Sequence, residues 1–146
     1  MAPHDLGWTI AALNLGGSIF FDLSAIGAYV VPSTGELLSA ALANGGTFLG
    51  AIGFLVASWL AFAEAGHGWL SWRPHDLGWV IAALNLGGSI FFGLSAIGAY
   101  VVPSTGELLS ATLANGGTFL GAIGFLIGAA LLLREGSSSR KPAPGT

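Results

Sequence analysis

Cysteine is absent from the chain, and basic side chains number four in 146 residues. The first absence excludes disulfides, thiol catalysis and metal centres held by thiolates. The second excludes a nucleic-acid surface, because Arg73, Arg134, Arg140 and Lys141 are too few and too scattered to form a basic patch. Charge of either sign is scarce: 8 % of residues, against about 25 % in a soluble domain. What fills the chain instead is apolar, at 53 %, with 24 glycines and a mean hydropathy of +0.78. Glycine-rich disordered chains are polar, and this one is not. Glycine among apolar residues suits membrane helices, whose backbones approach closely through small side chains. The lipid bilayer is the partner this composition implies.

The dominant feature is a repeat. Residues 3–56 recur as 74–127, and the 54 aligned pairs differ only at Thr9/Val80, Asp22/Gly93, Ala41/Thr112 and Val56/Ile127. Such near-identity points to a recent duplication or to deliberate construction. Each copy reads as a hairpin of two spanning helices. Trp8 to Val31 is an apolar run of ~36 Å, enough for a ~30 Å hydrocarbon core with some tilt. Pro32 should end it, and Ser33-Thr34-Gly35-Glu36 has the S-x-x-E form of a capping box opening a second helix at about Thr34 to Phe62. The second copy predicts helices over about Trp79 to Val102 and Thr105 to Leu133, with Ser104 and Glu107 as the matching cap.

The expected fold is therefore all-α and membrane-embedded. Four transmembrane helices form two parallel-repeat hairpins, related by a pseudo-twofold axis along the membrane normal. The transmembrane domain covers 1–133, with an interfacial linker at 63–73 containing Trp69 and Trp72, and 134–146 reads as a disordered tail. The amino terminus lacks the positive segment of a secretory signal, and the small-residue stretch at Ala25–Gly27 recurs internally at Ala96–Gly98, so the first helix is expected to be retained. All four basic residues fall in the linker or tail, and the hairpin turns have none. The positive-inside rule then puts both termini on the cytoplasmic side of the cell membrane.

Polar residues inside the spans are the candidate site. Asn14, Ser18, Asp22, Ala25 and Tyr29 follow one another at helical spacing, and Asn85, Ser89, Gly93, Ala96 and Tyr100 repeat the stripe. In lipid such a face is expected to turn inward, as helix–helix glue or, alternatively, as a solute or ion pathway. Asp22 is the one ionisable residue deep in a span. A central acid costs about 2.5–3.5 kcal/mol on the insertion scale, while each of the ten large apolar residues of the same helix returns about 0.3–0.6 kcal/mol. Insertion survives, and an acid so placed is a candidate for handling protons or cations.

Gly46 and Gly50, with Gly117 and Gly121, make small-xxx-small pairs for helix packing and for a homo-oligomer through glycine-rich faces. His4-Asp5 and His75-Asp76 precede the first and third helices. Asp5 and Asp76 fit N-caps, and His4 and His75 are metal candidates only if the two pairs converge. No cofactor is expected: haem ligation would need histidines within the spans, where there are none. No catalytic constellation is visible either, so the chain does not read as an enzyme.

Gly88-Ser89-Ile90-Phe91-Phe92 and Gly117-Thr118-Phe119-Leu120-Gly121, within 83–129 and again within 12–58, resemble the YrhK-like family of small bacterial membrane proteins. The resemblance implies two-helix hairpins joined by a short turn and brings no catalytic or ligand-binding residues. The function expected is a non-enzymatic, scaffold-type membrane protein. The alternative is a small channel or proton- or cation-coupled transporter using the Asn14–Ser18–Asp22 face.

Overall fold

The computed structural model describes residues 3–68 and 72–138, with side chains for 5–68 and 72–136. Four helices account for most of them: α1 (Pro3–Gly27), α2 (Ala40–Gly66), α3 (Leu77–Gly98) and α4 (Ala111–Ser138). At 1.5 Å per residue these are about 33–42 Å long, and all four are long and apolar enough to cross a membrane. No strand occurs among the described residues, only two isolated bridges. The protein is an all-α, four-helix membrane protein.

The helices of each hairpin do not meet through a capping box. Ala28 leaves the helix, and Val30 pairs with Leu37 in an antiparallel bridge. The Val31 amide donates to the Glu36 carbonyl at 2.8 Å, and the Leu38 amide to the Tyr29 carbonyl at 2.8 Å. Between them Pro32 opens a turn closed by the Thr34 and Gly35 amides on the Val31 carbonyl, and Gly35 takes a left-handed φ of 71°. Proline early in the turn and glycine at its left-handed position are what a short β-hairpin loop demands. The S-x-x-E stretch is thus a β-turn, and the helix starts six residues beyond Thr34. Its N-cap is Ser39, whose Oγ accepts from the Leu42 amide at 3.1 Å. The second copy repeats this with Gly106 at φ 71°, a Val101–Leu108 bridge and Ser110 accepting from the Leu113 amide. Ser33, Glu36, Ser104 and Glu107 therefore sit in exposed turns and cap no helix.

At the other end α2 runs to Gly66 and stops on His67, which takes the left-handed φ of 53°, with the Gly68 amide on the Ala63 carbonyl. This is a helix stop usually built on glycine. Asp76 N-caps α3, accepting from the Trp79 amide at 3.3 Å. Asp5 is different: α1 already starts at Pro3, so Asp5 lies within its first turn, where an acid suits the helix dipole. Phe62, Trp72 and Trp79 gather at this end, with Trp79 ring contacts of 5.4 Å to Phe62 and 5.1 Å to Trp72. Trp69 and Ser71 lie outside the described residues. α4 continues through Arg134 to Ser138, into the stretch expected to be tail, and 139–146 lie outside the described residues.

Within each hairpin the packing is glycine on backbone. A Cβ added to Gly46 would lie 2.5 Å from the Phe20 carbonyl oxygen, and one on Gly117 2.7 Å from that of Phe91. Gly50 and Gly121 face the rings of Phe21 and Phe92 and the carbonyl oxygens of Gly17 and Gly88. These four glycines are thus occupied inside their own hairpins. Between the hairpins the described backbones approach along one seam, α2 against α3, while Phe21 of α1 meets Phe92 of α3 and Phe54 of α2 meets Phe125 of α4. A twofold axis along the membrane normal would carry that seam onto an equal one between α4 and α1. Among the described residues no Cα atoms of α1 and α4 come within 8 Å. The four-helix bundle thus has close backbone contacts in the order α1–α2–α3–α4 and does not show the expected pseudo-twofold axis.

Candidate functional site

The polar residues of the spans divide into three groups, each fixed by local packing. The first clasps each hairpin internally. Ser24 Oγ, Thr47 Oγ1 and the Ala43 carbonyl form a triangle with sides of 2.8, 2.8 and 2.5 Å. In the second copy Ser95 repeats the serine's two bonds, its Oγ lying 2.7 Å from the Ala114 carbonyl and from Thr118 Oγ1. Ser24 and Ser95 are buried because the glycines beside them, Gly46 and Gly117, bring the backbones together.

The second group ties the two hairpins. Ser58 and Ser89 share a hydrogen bond of 2.7 Å, and Ser89 is completely buried. Near the turns the Asn44 side chain serves one peptide unit twice. Its Nδ2 donates to the Val101 carbonyl at 2.9 Å, and the Val101 amide donates to its Oδ1 at 2.7 Å. Among the described residues no buried polar side-chain atom lacks a partner.

The third group lines clefts around an aromatic centre. Phe21, Phe54, Phe125 and Phe92, one from each helix, close a ring of contacts with centroids 5.6–6.1 Å apart. On one side these four rings, with Ser18 and Asp22, border an open cleft of about 550 Å³. Phe54 and Phe125 also wall a second cleft of about 310 Å³, which brings Asn14 and Asn85 together beside Ser58. The structure therefore joins Asn14 to Asn85 and Ser18 to Asp22, but separates these pairs by phenylalanine.

The repeated polar stripe has two fates. On α3 it is inward, with Ser89 and Ala96 buried against α2. On α1 and in the turn after it, Ser18, Asp22, Ala25 and Tyr29 are exposed. The reason is position: among the described residues α3 has close backbone contacts with both α2 and α4, and α1 with α2 alone. Asp22 is not buried against a neighbouring helix and lines the cleft beside Ser18. Ser18 bonds back to its own helix at the Asn14 carbonyl, 3.0 Å away.

The sequence reading passed over Ser24, Thr47, Asn44 and Ser58, all of which make the hydrogen bonds above. A signal was available for Ser24, which falls seven residues after Gly17 on the face that α2 covers. His75 is exposed in the linker, and the His4 side chain lies outside the described residues, so the proposed convergence of the two pairs does too. Among the described residues no three His, Cys, Asp or Glu side chains gather as metal ligands. No protein family, no curated protein and no solved structure matches the chain.

Proposed function

We propose that the protein is a non-enzymatic integral membrane protein whose role is structural packing in the bilayer, with both termini on the cytoplasmic face of the cell membrane. The observation that carries this reading is the filled centre. Four phenylalanine rings occupy the place where a conducting path would run, and the serine clasps of each hairpin are closed on themselves. Polar groups in lipid that already satisfy one another add rigidity and specificity, at about 0.6–2 kcal/mol per contact. Membership of the YrhK-like hairpin family would fit this role and would add no reacting group.

A second reading has one observation in its favour. Asn14 and Asn85 share one cleft, Ser18 and Asp22 border the next, and the Phe54–Phe125 wall is common to both. A rotation of those rings would connect the clefts into a short polar track ending on an acid, the arrangement of a small proton or cation transporter. Flux into proteoliposomes separates the readings, with orientation fixed by labelling a Ser33→Cys variant from outside. Packing predicts no proton or cation flux above that of empty vesicles. Flux that disappears in Asp22→Asn would overturn it in favour of transport.

A further inference from the structure

The two copies present the same surfaces, yet only one of two equivalent seams is made. On α3 and in the turn after it, Trp79, Ala82, Ser89, Ala96 and Val101 are buried, with Trp79, Ser89 and Val101 in contact with Phe62, Ser58 and Asn44 of α2. Their counterparts on α1 and in the turn after it are Trp8, Ala11, Ser18, Ala25 and Val30, and every one is exposed. The contrast is large at both ends: Trp79 is 5 % exposed and Trp8 74 %, Val101 6 % and Val30 51 %. The other half of the seam behaves alike. Asn44, Ala51 and Ser58 of α2 are covered or hydrogen-bonded, while Asn115, Ala122 and Ala129 of α4 are exposed. The outer face of α1 is thus an unused copy of the α3 surface, and the outer face of α4 an unused copy of the α2 surface.

We propose that the chains associate head to tail in the membrane, α4 of one copy packing on α1 of the next through a duplicate of the internal α2–α3 seam. Lipid offers no hydrophobic drive for helices to pair, so shape and polar groups must supply the attraction. Both are already proven within the chain. Asn115 would take the Val30 peptide unit of its neighbour as Asn44 takes that of Val101. The seam also has room for the one acid. A cleft of about 320 Å³ between α2 and α3 includes Gly93, and a Cβ added there meets nothing within 4 Å. Asp22 occupies the Gly93 position of α1, so the outer seam would have space for its side chain. One element does not carry over: Ala129 stands where Ser58 does, so the serine bond of the inner seam is missing from the outer one. An interface of this kind is heterologous, leaving a free α1 and a free α4 until a ring closes.

This deepens the packing role by naming its partner, a second copy of the chain. Disulfide cross-linking in liposomes reads the seam alone, whatever the flux measurement shows, and the cysteine-free background leaves no competing thiol. The full chain carrying Val30→Cys and Asn115→Cys should oxidise to dimers and a ladder of higher species. Chains with Val30→Cys only, mixed with chains with Asn115→Cys only, should give mixed dimers. Asn44→Cys with Val101→Cys should cross-link within one chain and reports that the fold is intact. Three results would overturn the proposal while that control works: no cross-linked species, an intramolecular α4–α1 cross-link in the double variant, or single variants that dimerise alone as fully as the mixture.

Discussion

Adjacent glycines at 45 and 46 offer a test of the hairpin seam with its own control. Substituting Gly46 by alanine puts a Cβ 2.5 Å from the Phe20 carbonyl oxygen, 2.8 Å from the Ser24 nitrogen and 2.9 Å from the Ser24 Cβ. The first two are main-chain atoms of a neighbouring helix, so no rotamer change relieves the clash. Ordinary contact begins near 3.4 Å, so α1 and α2 must separate by nearly an ångström at this level. Overpacking of that size costs about 1–3 kcal/mol. Separation also stretches the Ser24–Ala43 and Ser24–Thr47 contacts of 2.8 and 2.5 Å, each worth roughly 0.6 kcal/mol in a membrane. The expected loss is about 2–4 kcal/mol. Gly45→Ala places its Cβ where nothing lies within 4 Å, and helix propensity alone predicts a gain of up to about 1 kcal/mol. The measurement is reversible unfolding in mixed micelles titrated with sodium dodecyl sulfate, followed by circular dichroism. Equal midpoints for Gly45→Ala and Gly46→Ala would refute the backbone-contact reasoning.

The other expectations concern helix ends. Ser39→Ala removes the side chain that accepts from the Leu42 amide and should cost about 1 kcal/mol, whereas Ser33→Ala, in the exposed turn, should shift the same unfolding midpoint little. The reverse order would restore the capping box to Ser33. His67→Gly relieves a left-handed residue with a side chain, φ 53°, and should stabilise by about 1 kcal/mol. A lower midpoint in that variant would mean the imidazole makes a contact worth more than the strain.

Much of the architecture is legible in the apolar runs, because lipid permits few alternatives to a helix. The four spans, their order and the short turns follow from the sequence. The turn chemistry is harder to read. Pro-Ser-Thr-Gly-Glu satisfies both a helix cap and a β-hairpin loop, and local pattern cannot weigh the Val30–Leu37 pairing that decides for the loop. Glycine pairs are ambiguous in a similar way. In Gly16-Gly17, Gly45-Gly46, Gly87-Gly88 and Gly116-Gly117 the second glycine packs and the first meets nothing within 4 Å, a choice made by helix phase. The direction of the polar stripe is beyond any sequence window. Ser18 and Ser89 sit in nearly identical text, yet one is exposed and the other fully buried. Their environments differ through distant helices, which no local pattern encodes.

The α2–α3 connection has an arithmetic consequence. Residues 67–76 tie two hairpins into one unit, so every closed head-to-tail ring must contain an even number of hairpins. Seams would then alternate around it. Those inside a chain present Gly93, those between chains present Asp22, and a carboxyl group would recur at every second seam of the ring.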